Sequence, residues 1–258
     1  SHMQYNIKYK NLDVTPGIRY EKIDLKEVDF GKNDPERIGT DVSQKSNSIE
    51  VFVPGVGFNY SLGEKTAIYG GIHKGFAPPG TTEGSLPEES INYEAGTKFF
   101  GKNLNFQTVL FYTDYQNLLG NDLAATGGNG SGNFYNGGEA RTLGAEFFAT
   151  INIIKSIGLQ SKLRLPITIS YTYTNAEFLS SFESNFESWG DVYTGYEFPY
   201  LAKHQLSSRL SAHYKNFEFH LNSKYNSTMR AQAGDGEINS VENIPAYLIL
   251  DCAAKYHI

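Results

Sequence analysis

The chain has 258 residues, long enough for one large sheet domain, and 22 Lys and Arg against 28 Asp and Glu leave a formal net charge of −6. No run of Lys or Arg makes a phosphate-binding stripe, which excludes nucleic acid as a partner, and the single cysteine, Cys252, can form neither an internal disulfide nor a thiolate metal cluster. The 18 Tyr, 17 Phe and 26 Gly, against 2 Met and 1 Trp, favour strands and turns over helices.

In chain order, Ser1-His2-Met3 reads as a scar left by tag removal and is set outside the fold, which is taken as one unit over 4–258. Nothing beyond it approaches the ~18 consecutive apolar residues of a spanning helix. Two classes remain. One is a soluble sheet protein, such as an adhesin or a lipid-binding barrel. The other is a membrane barrel, whose strands need only about 10 alternating residues.

Period-2 alternation predicts about ten strands, with cores at 12–25, 50–62, 66–77, 90–101, 104–118, 139–151, 163–177, 204–215, 217–229 and 246–257. In the fourth, Glu94, Gly96 and Lys98 alternate with Tyr93, Ala95, Thr97 and Phe99. In the seventh, Ile167, Ile169, Tyr171 and Tyr173 face away from small hydroxyl residues. The eighth sets Ser207, Arg209, Ser211 and His213 against Leu206, Leu210, Ala212 and Tyr214, and the ninth sets Glu218, His220, Asn222 and Lys224 against Phe217, Phe219, Leu221 and Tyr225. Each such strand has one apolar face and one that water can wet.

The connections alternate in length. Gly63-Glu64-Lys65, Gly101-Lys102-Asn103 and Lys215-Asn216 are tight, with a longer connection at 152–162 on the same side. Between them come long polar segments at 26–49, 78–89, 119–138, 178–203 and 230–245. Antiparallel neighbours joined in order put those five at one end of the sheet. Short turns on one rim and long loops on the other describe an all-β, up-and-down antiparallel meander forming part of a transmembrane β-barrel.

Motifs for chemistry are missing. The run Gly127-Gly128-Asn129-Gly130-Ser131-Gly132 lacks the Lys-Ser/Thr ending of a phosphate loop and reads as a loop tip. His73, His204, His213, His220 and His257 are scattered over different strands without short-range ligand spacing, so no metal or other cofactor is assigned. No nucleophile motif such as Gly-x-Ser-x-Gly is present, and the chain is not read as an enzyme. The acidic residues Glu183, Glu187, Asp191, Glu197, Asp235, Glu237 and Glu242 read as solvated loop surface.

Several segments resemble the late barrel strands of TonB-dependent outer-membrane receptors. Gly75-Phe76-Ala77-Pro78-Pro79 resembles the end of one upward strand, and Pro87-Glu88-Glu89-Ser90 with Tyr93 through Lys98 resembles the next downward one. Phe111 through Asn117 and Asn136 through Phe147 are similar to the pair that follows, and Lys203-His204, Ile244-Pro245-Ala246-Tyr247 and Asp251 continue the order. Within the family, Pro199 to Tyr256 is most similar to ferric dicitrate-type siderophore receptors, with Ala202 standing where a Pro is usual before Lys-His.

The resemblance implies a barrel of roughly 22 strands plugged by an N-terminal domain. Plug, early strands and last strands would then lie outside this chain. It also implies residence in outer-membrane lipid, a ferric chelate (ferric citrate or a siderophore) as the imported ligand, and energy from an inner-membrane complex that engages the absent N-terminal region. Cobalamin, a nickel complex or a carbohydrate are the alternative cargoes, since one architecture serves them all. An anionic chelate needs cations and hydrogen-bond donors. At the loop side these are Lys74, Arg141 and Arg230. Charges such as Glu94, Lys98, Arg209 and Lys224 would be desolvated in a narrow closed barrel, so the sheet is expected to remain open.

Overall fold

The computed structural model describes residues 1–81, 84–121, 134–136, 138–183 and 189–258. Two short strands, β1 (His2–Gln4) and β2 (Ile7–Tyr9), precede β3 (Leu12–Phe30), β4 (Val42–Ser61), β5 (Thr66–Ala77), β6 (Glu88–Phe100) and β7 (Leu104–Gln116). A small hairpin of β8 (Leu119–Asn121) and β9 (Phe134–Asn136) leads to β10 (Ala140–Asn152), the single helical turn α1 (Ile153–Ser156) and β11 (Pro166–Phe178). The pair β12 (Phe182–Glu183) and β13 (Asp191–Val192) comes before β14 (His204–Tyr214) and β15 (Phe217–Asn226). The pair β16 (Met229–Arg230) and β17 (Asn243–Ile244) comes before β18 (Tyr247–Tyr256).

Each long strand pairs antiparallel with the next, in the order β1-β3-β4-β5-β6-β7-β10-β11-β14-β15-β18, with β2 also on β3. The sheet is open: β3 and β18 lie towards opposite margins and do not pair. With consecutive strands antiparallel, the strand ends that flank the connections at 31–41, 78–87, 117–139, 179–203 and 227–246 share one end of the sheet, as the loop lengths predict. At the other end the turns are tight. Leu62 N–H donates to the Thr66 carbonyl at 2.9 Å, Gly101 N–H donates to that of Leu104 at 2.9 Å, and Lys215 takes φ 51° to close the β14–β15 hairpin. The one longer turn on this rim contains α1, capped by the Asn152 side chain, which accepts from Lys155 N–H.

Register sorts the side chains into two faces. Phe147, Tyr171, Leu206, Tyr225 and Leu248 form one row across neighbouring strands; one residue along, the row on the opposite face is Glu146, Thr172, Gln205 and Asn226. The first face has the aliphatic and aromatic character of a lipid-facing surface, the second that of a wetted lumen wall. Where strands must close up on the inner face, glycine is required. A Cβ on Gly144 would lie 2.2 Å from the Tyr173 carbonyl oxygen and 2.4 Å from the ring of Phe111, which covers the glycine.

Two expectations need correction. The segment 26–49, read as loop, is mostly strand: β3 runs for 19 residues and β4 for 20, beyond the ~9–11 that cross a bilayer. The cause is a polarity switch along both strands. Up to Tyr20 and Phe52 the outward face carries Val14, Pro16 and Ile18 beside Pro54, Val56 and Phe58; beyond, it carries Lys22, Asp24 and Lys26 beside Glu50, Ser48 and Ser46. The inner face turns apolar at the same level, with Ile23 and Leu25 near the buried Ile49 and Val51. Tyr20 and Phe52, with ring centroids 4.9 Å apart, mark the switch, where aromatic residues of barrels meet the membrane interface. The backbone ladder simply continues past the lipid. The second correction concerns residues 1–3, which were set outside the fold: His2 and Met3 belong to β1 and pair with Arg19 and Ile18. An edge strand accepts a partner through its backbone, whatever the origin of the side chains.

Candidate functional site

A one-layer wall buries little, and the buried apolar cluster forms at the loop end instead. Leu118, Ala140, Phe178 and Val192 are buried together, with Tyr115, Phe182, Trp189, Tyr196, Phe198 and Ala233 packed against them. Phe178 is the centre: its ring stacks on Phe198 at 4.2 Å and meets Trp189 and Phe182 edge-on at 5.2 and 5.5 Å. The cap is tied to the wall by backbone bonds, Phe178 N–H to the Tyr196 carbonyl at 2.9 Å and Gly195 N–H to the Phe178 carbonyl at 2.8 Å.

Arg230 belongs to this cap. It is 3% exposed; Nε donates to Glu197 Oε2 at 3.2 Å and Nη2 to the Gly236 carbonyl at 2.5 Å. Lys203 Nζ donates to the other oxygen of Glu197 at 2.6 Å. Glu197, read from the sequence as solvated, is thus a bridge between two cations. Burial alone would raise its pKa, but the bonds from Lys203 and Arg230 outweigh burial and hold it below the ordinary 4.5. Because the folded value lies below the unfolded one, these pairs contribute stability above about pH 4.5 and lose it as pH falls through the folded value. Acidification is therefore expected to loosen the cap reversibly, shifting Trp189 emission, and Glu197→Gln is expected to abolish that pH dependence. Glu187 lies outside the described residues. In the β3–β4 loop, Asp34 works similarly: burial raises its pKa, but donation from Ile38, Gly39 and Thr40 N–H prevails and lowers it.

The other two predicted cations stand elsewhere. Lys74 alternates with Ile72 and Ile68 on the outward face and pairs with Glu89 at 2.7 Å. Arg141 lies on the same face, opposite both Asp114 and Glu177, and pairs with Glu177, while Tyr112 Oη donates to Asp114 at 2.8 Å. The structure brings none of the three cations together, and each has a carboxylate partner.

The inner face has its own polar ground. Thr168, Ser170, Ser207, Ser208, Arg209, Asn222, Lys224 and Asp251 line a shallow recess between β11 and β18, where Arg209 Nε donates to Asn222 Oδ1 at 3.0 Å. These residues were legible only as a wettable strand face. At the short-turn rim the histidines are not scattered: His213, His220 and His257 surround Glu218 at 3.5, 3.8 and 3.4 Å. His204 stands apart at the loop end, its Nδ1 2.9 Å from Tyr171 Oη.

A family model described as TonB dependent receptor-like, beta-barrel matches residues 2–258. No curated protein matches the sequence. Among solved structures, the ferric citrate transporter FecA in its unliganded form superposes with a TM-score of 0.69 at 20% identity, over 99% of this chain and 36% of that one. The siderophore receptor PiuA from Acinetobacter baumannii gives 0.72 at 19%, over 100% and 36%. The ferric yersiniabactin uptake receptor FyuA from Yersinia pestis gives 0.67 at 17%, over 96% and 36%. At such identities the likeness is one of fold, and the chain spans 36% of the length of these proteins. With an apolar outer face, a wetted inner face, loops sorted to one rim and a family match along almost its whole length, the chain belongs to the TonB-dependent receptor β-barrel family of the bacterial outer membrane.

Proposed function

We propose that this chain is part of the wall of a receptor that captures a ferric chelate in its outer loops and passes it through the lumen, driven by an energy-transducing inner-membrane complex. The observation that supports this most is the inner wall itself. Its hydroxyls, amides and the cations Arg209 and Lys224 offer donors to an anionic chelate along the route from the loop end. Solved structures of like fold are of proteins named for ferric citrate and siderophore transport. No step of the reading needs chemistry on the cargo.

Among the loop-side cations, Arg230 would have to abandon a buried pair to reach ligand, which typically costs about 3–5 kcal/mol when one partner is left behind, so its role here is to hold the cap. Lys74 and Arg141 exchange partners more cheaply, because their pairs are only partly buried and keep contact with solvent. They meet a chelate only over the rim, since their side chains leave the outward face.

The test is growth of the source bacterium on single iron sources, with and without the gene. Loss of growth on one ferric chelate is expected. An intact gene carrying Arg209→Gln with Lys224→Gln is expected to slow that uptake more than Lys74→Gln with Arg141→Gln. Unchanged uptake of every ferric chelate tested would remove the iron assignment.

A further inference from the structure

We infer that the short-turn rim is a cationic collar that binds the anionic phosphate headgroups of the lipid leaflet bordering it, whatever the cargo of the lumen. The connections at that rim, 10–11, 62–65, 101–103, 153–165 and 215–216, carry Lys10, Lys65, Lys102, Lys155, Lys162, Arg164 and Lys215. Against these seven stands one acid, Glu64, in a chain whose net charge is −6. The acids next to them on the flanking strands, Asp13 and Glu218, face inward and lie beside Lys8 and the rim histidines.

Three features make a collar of these turns. First, the cations are available. All seven are exposed, and among the described residues none forms an ion pair, whereas Lys22, Lys74, Arg141, Lys203 and Arg230, nearer the loop end, each hold a carboxylate. Second, the turns are tied into one row. Ser61 N–H donates to the Asn11 carbonyl at 2.8 Å, Phe100 N–H to that of Lys65 at 2.8 Å, Asn152 N–H to that of Asn103 at 2.9 Å and Arg164 N–H to that of His213 at 2.9 Å. The charges are therefore held side by side along the edge of the wall.

Third, the same turns expose apolar side chains. Leu62, Ile157 and Leu159 are 57%, 63% and 58% exposed. Two of the lysines are also tied to the lipid-facing side: Lys10 Nζ lies 5.4 Å from the centre of the Tyr9 ring and Lys215 Nζ 5.5 Å from that of Tyr214, and both rings belong to outward rows of the sheet. At a lipid boundary such a mixture is complementary. Aliphatic and aromatic groups sink below the headgroups while the ammonium groups reach up to the phosphates. The link of Lys10 and Lys215 to outward rings favours lipid over an acidic protein docked beneath the rim.

The test is the lipid selectivity of the full chain reconstituted in phosphatidylcholine vesicles that contain either spin-labelled phosphatidylglycerol or spin-labelled phosphatidylcholine, read as the motionally restricted fraction of the label. Phosphatidylglycerol is expected to associate about fivefold more strongly at low salt, the effect of roughly one lysine at a charged surface averaged over the surrounding lipid. In about 1 M NaCl, where charges are screened within ~3 Å, the ratio should fall to near one. Lys10→Gln, Lys65→Gln, Lys102→Gln and Lys215→Gln combined should abolish the preference at low salt. An equal loss of charge near the loop end, by Lys26→Gln, Lys32→Gln, Arg37→Gln and Lys45→Gln combined, should preserve it. The salt response is read on the unaltered chain, so a variant that fails to insert does not decide the matter. Equal association of the two lipids at low salt would overturn the collar and turn attention to an acidic protein. So would a preference that survives in the short-turn variant or disappears in the loop-end one.

Discussion

Replacing Phe178 with alanine is expected to destabilise the loop cap by about 3–5 kcal/mol, the usual cost of emptying a large aromatic site in a packed core. Phe178 is 0% exposed and has Phe182, Trp189 and Phe198 around it, so its removal leaves a void that three neighbouring rings cannot jointly fill. Denaturant unfolding in detergent, followed by Trp189 emission, measures the effect. The cap should melt well before the sheet, because the three rings that meet Phe178 all belong to the loop segment 179–203. Phe147→Ala, on the outward face at 40% exposure, should cost far less.

The second large effect separates the two faces of the wall. Leu110, 63% exposed, stands in the middle of the outward face, flanked by Ala95 and Ala145. Arginine at a lipid-facing midplane position costs about 2–4 kcal/mol in a barrel, and Leu110→Arg should show that loss in lipid vesicles. Thr172→Arg places the same charge on the inner face, opposite Glu146, and should be nearly neutral. A soluble sheet would tolerate Leu110→Arg as an ordinary surface change, so the pair of variants also tests membership of the membrane class.

How much of this was legible in the sequence depends on the range of the interaction that decides each feature. Alternation with period two is local, and all ten long strands lie where it predicts them, as Glu94 and Lys98 against Tyr93 and Phe99 illustrate. The outward direction of Lys74 was also legible, since it keeps step with Ile68 and Ile72, but proximity to the loop end dominated the reading. The extensions of β3 and β4 were missed because an apolar outer face was taken as the mark of a strand, and above Tyr20 and Phe52 that face is polar. The cap was missed for a different reason. Phe178, Phe182, Trp189, Val192, Tyr196 and Phe198 are spread among Ser, Gly and acidic residues with no regular period, so a polar loop was expected where a core forms. The histidine cluster is purely tertiary: nothing in the spacing of 213, 220 and 257 announces that one hairpin and the end of β18 bring them to Glu218.

The central claim is that the outward face of this sheet lies in lipid and the inner face in water. Nitroxide accessibility tests it most directly. In a Cys252→Ala background, single cysteines at Phe147→Cys and Glu146→Cys, neighbours on β10 that face opposite ways, are spin-labelled and reconstituted in bilayers. The account predicts that the label at 147 is relaxed by oxygen and shielded from a water-soluble nickel chelate, and that the label at 146 shows the reverse. Equal access of the nickel chelate to both positions would contradict it.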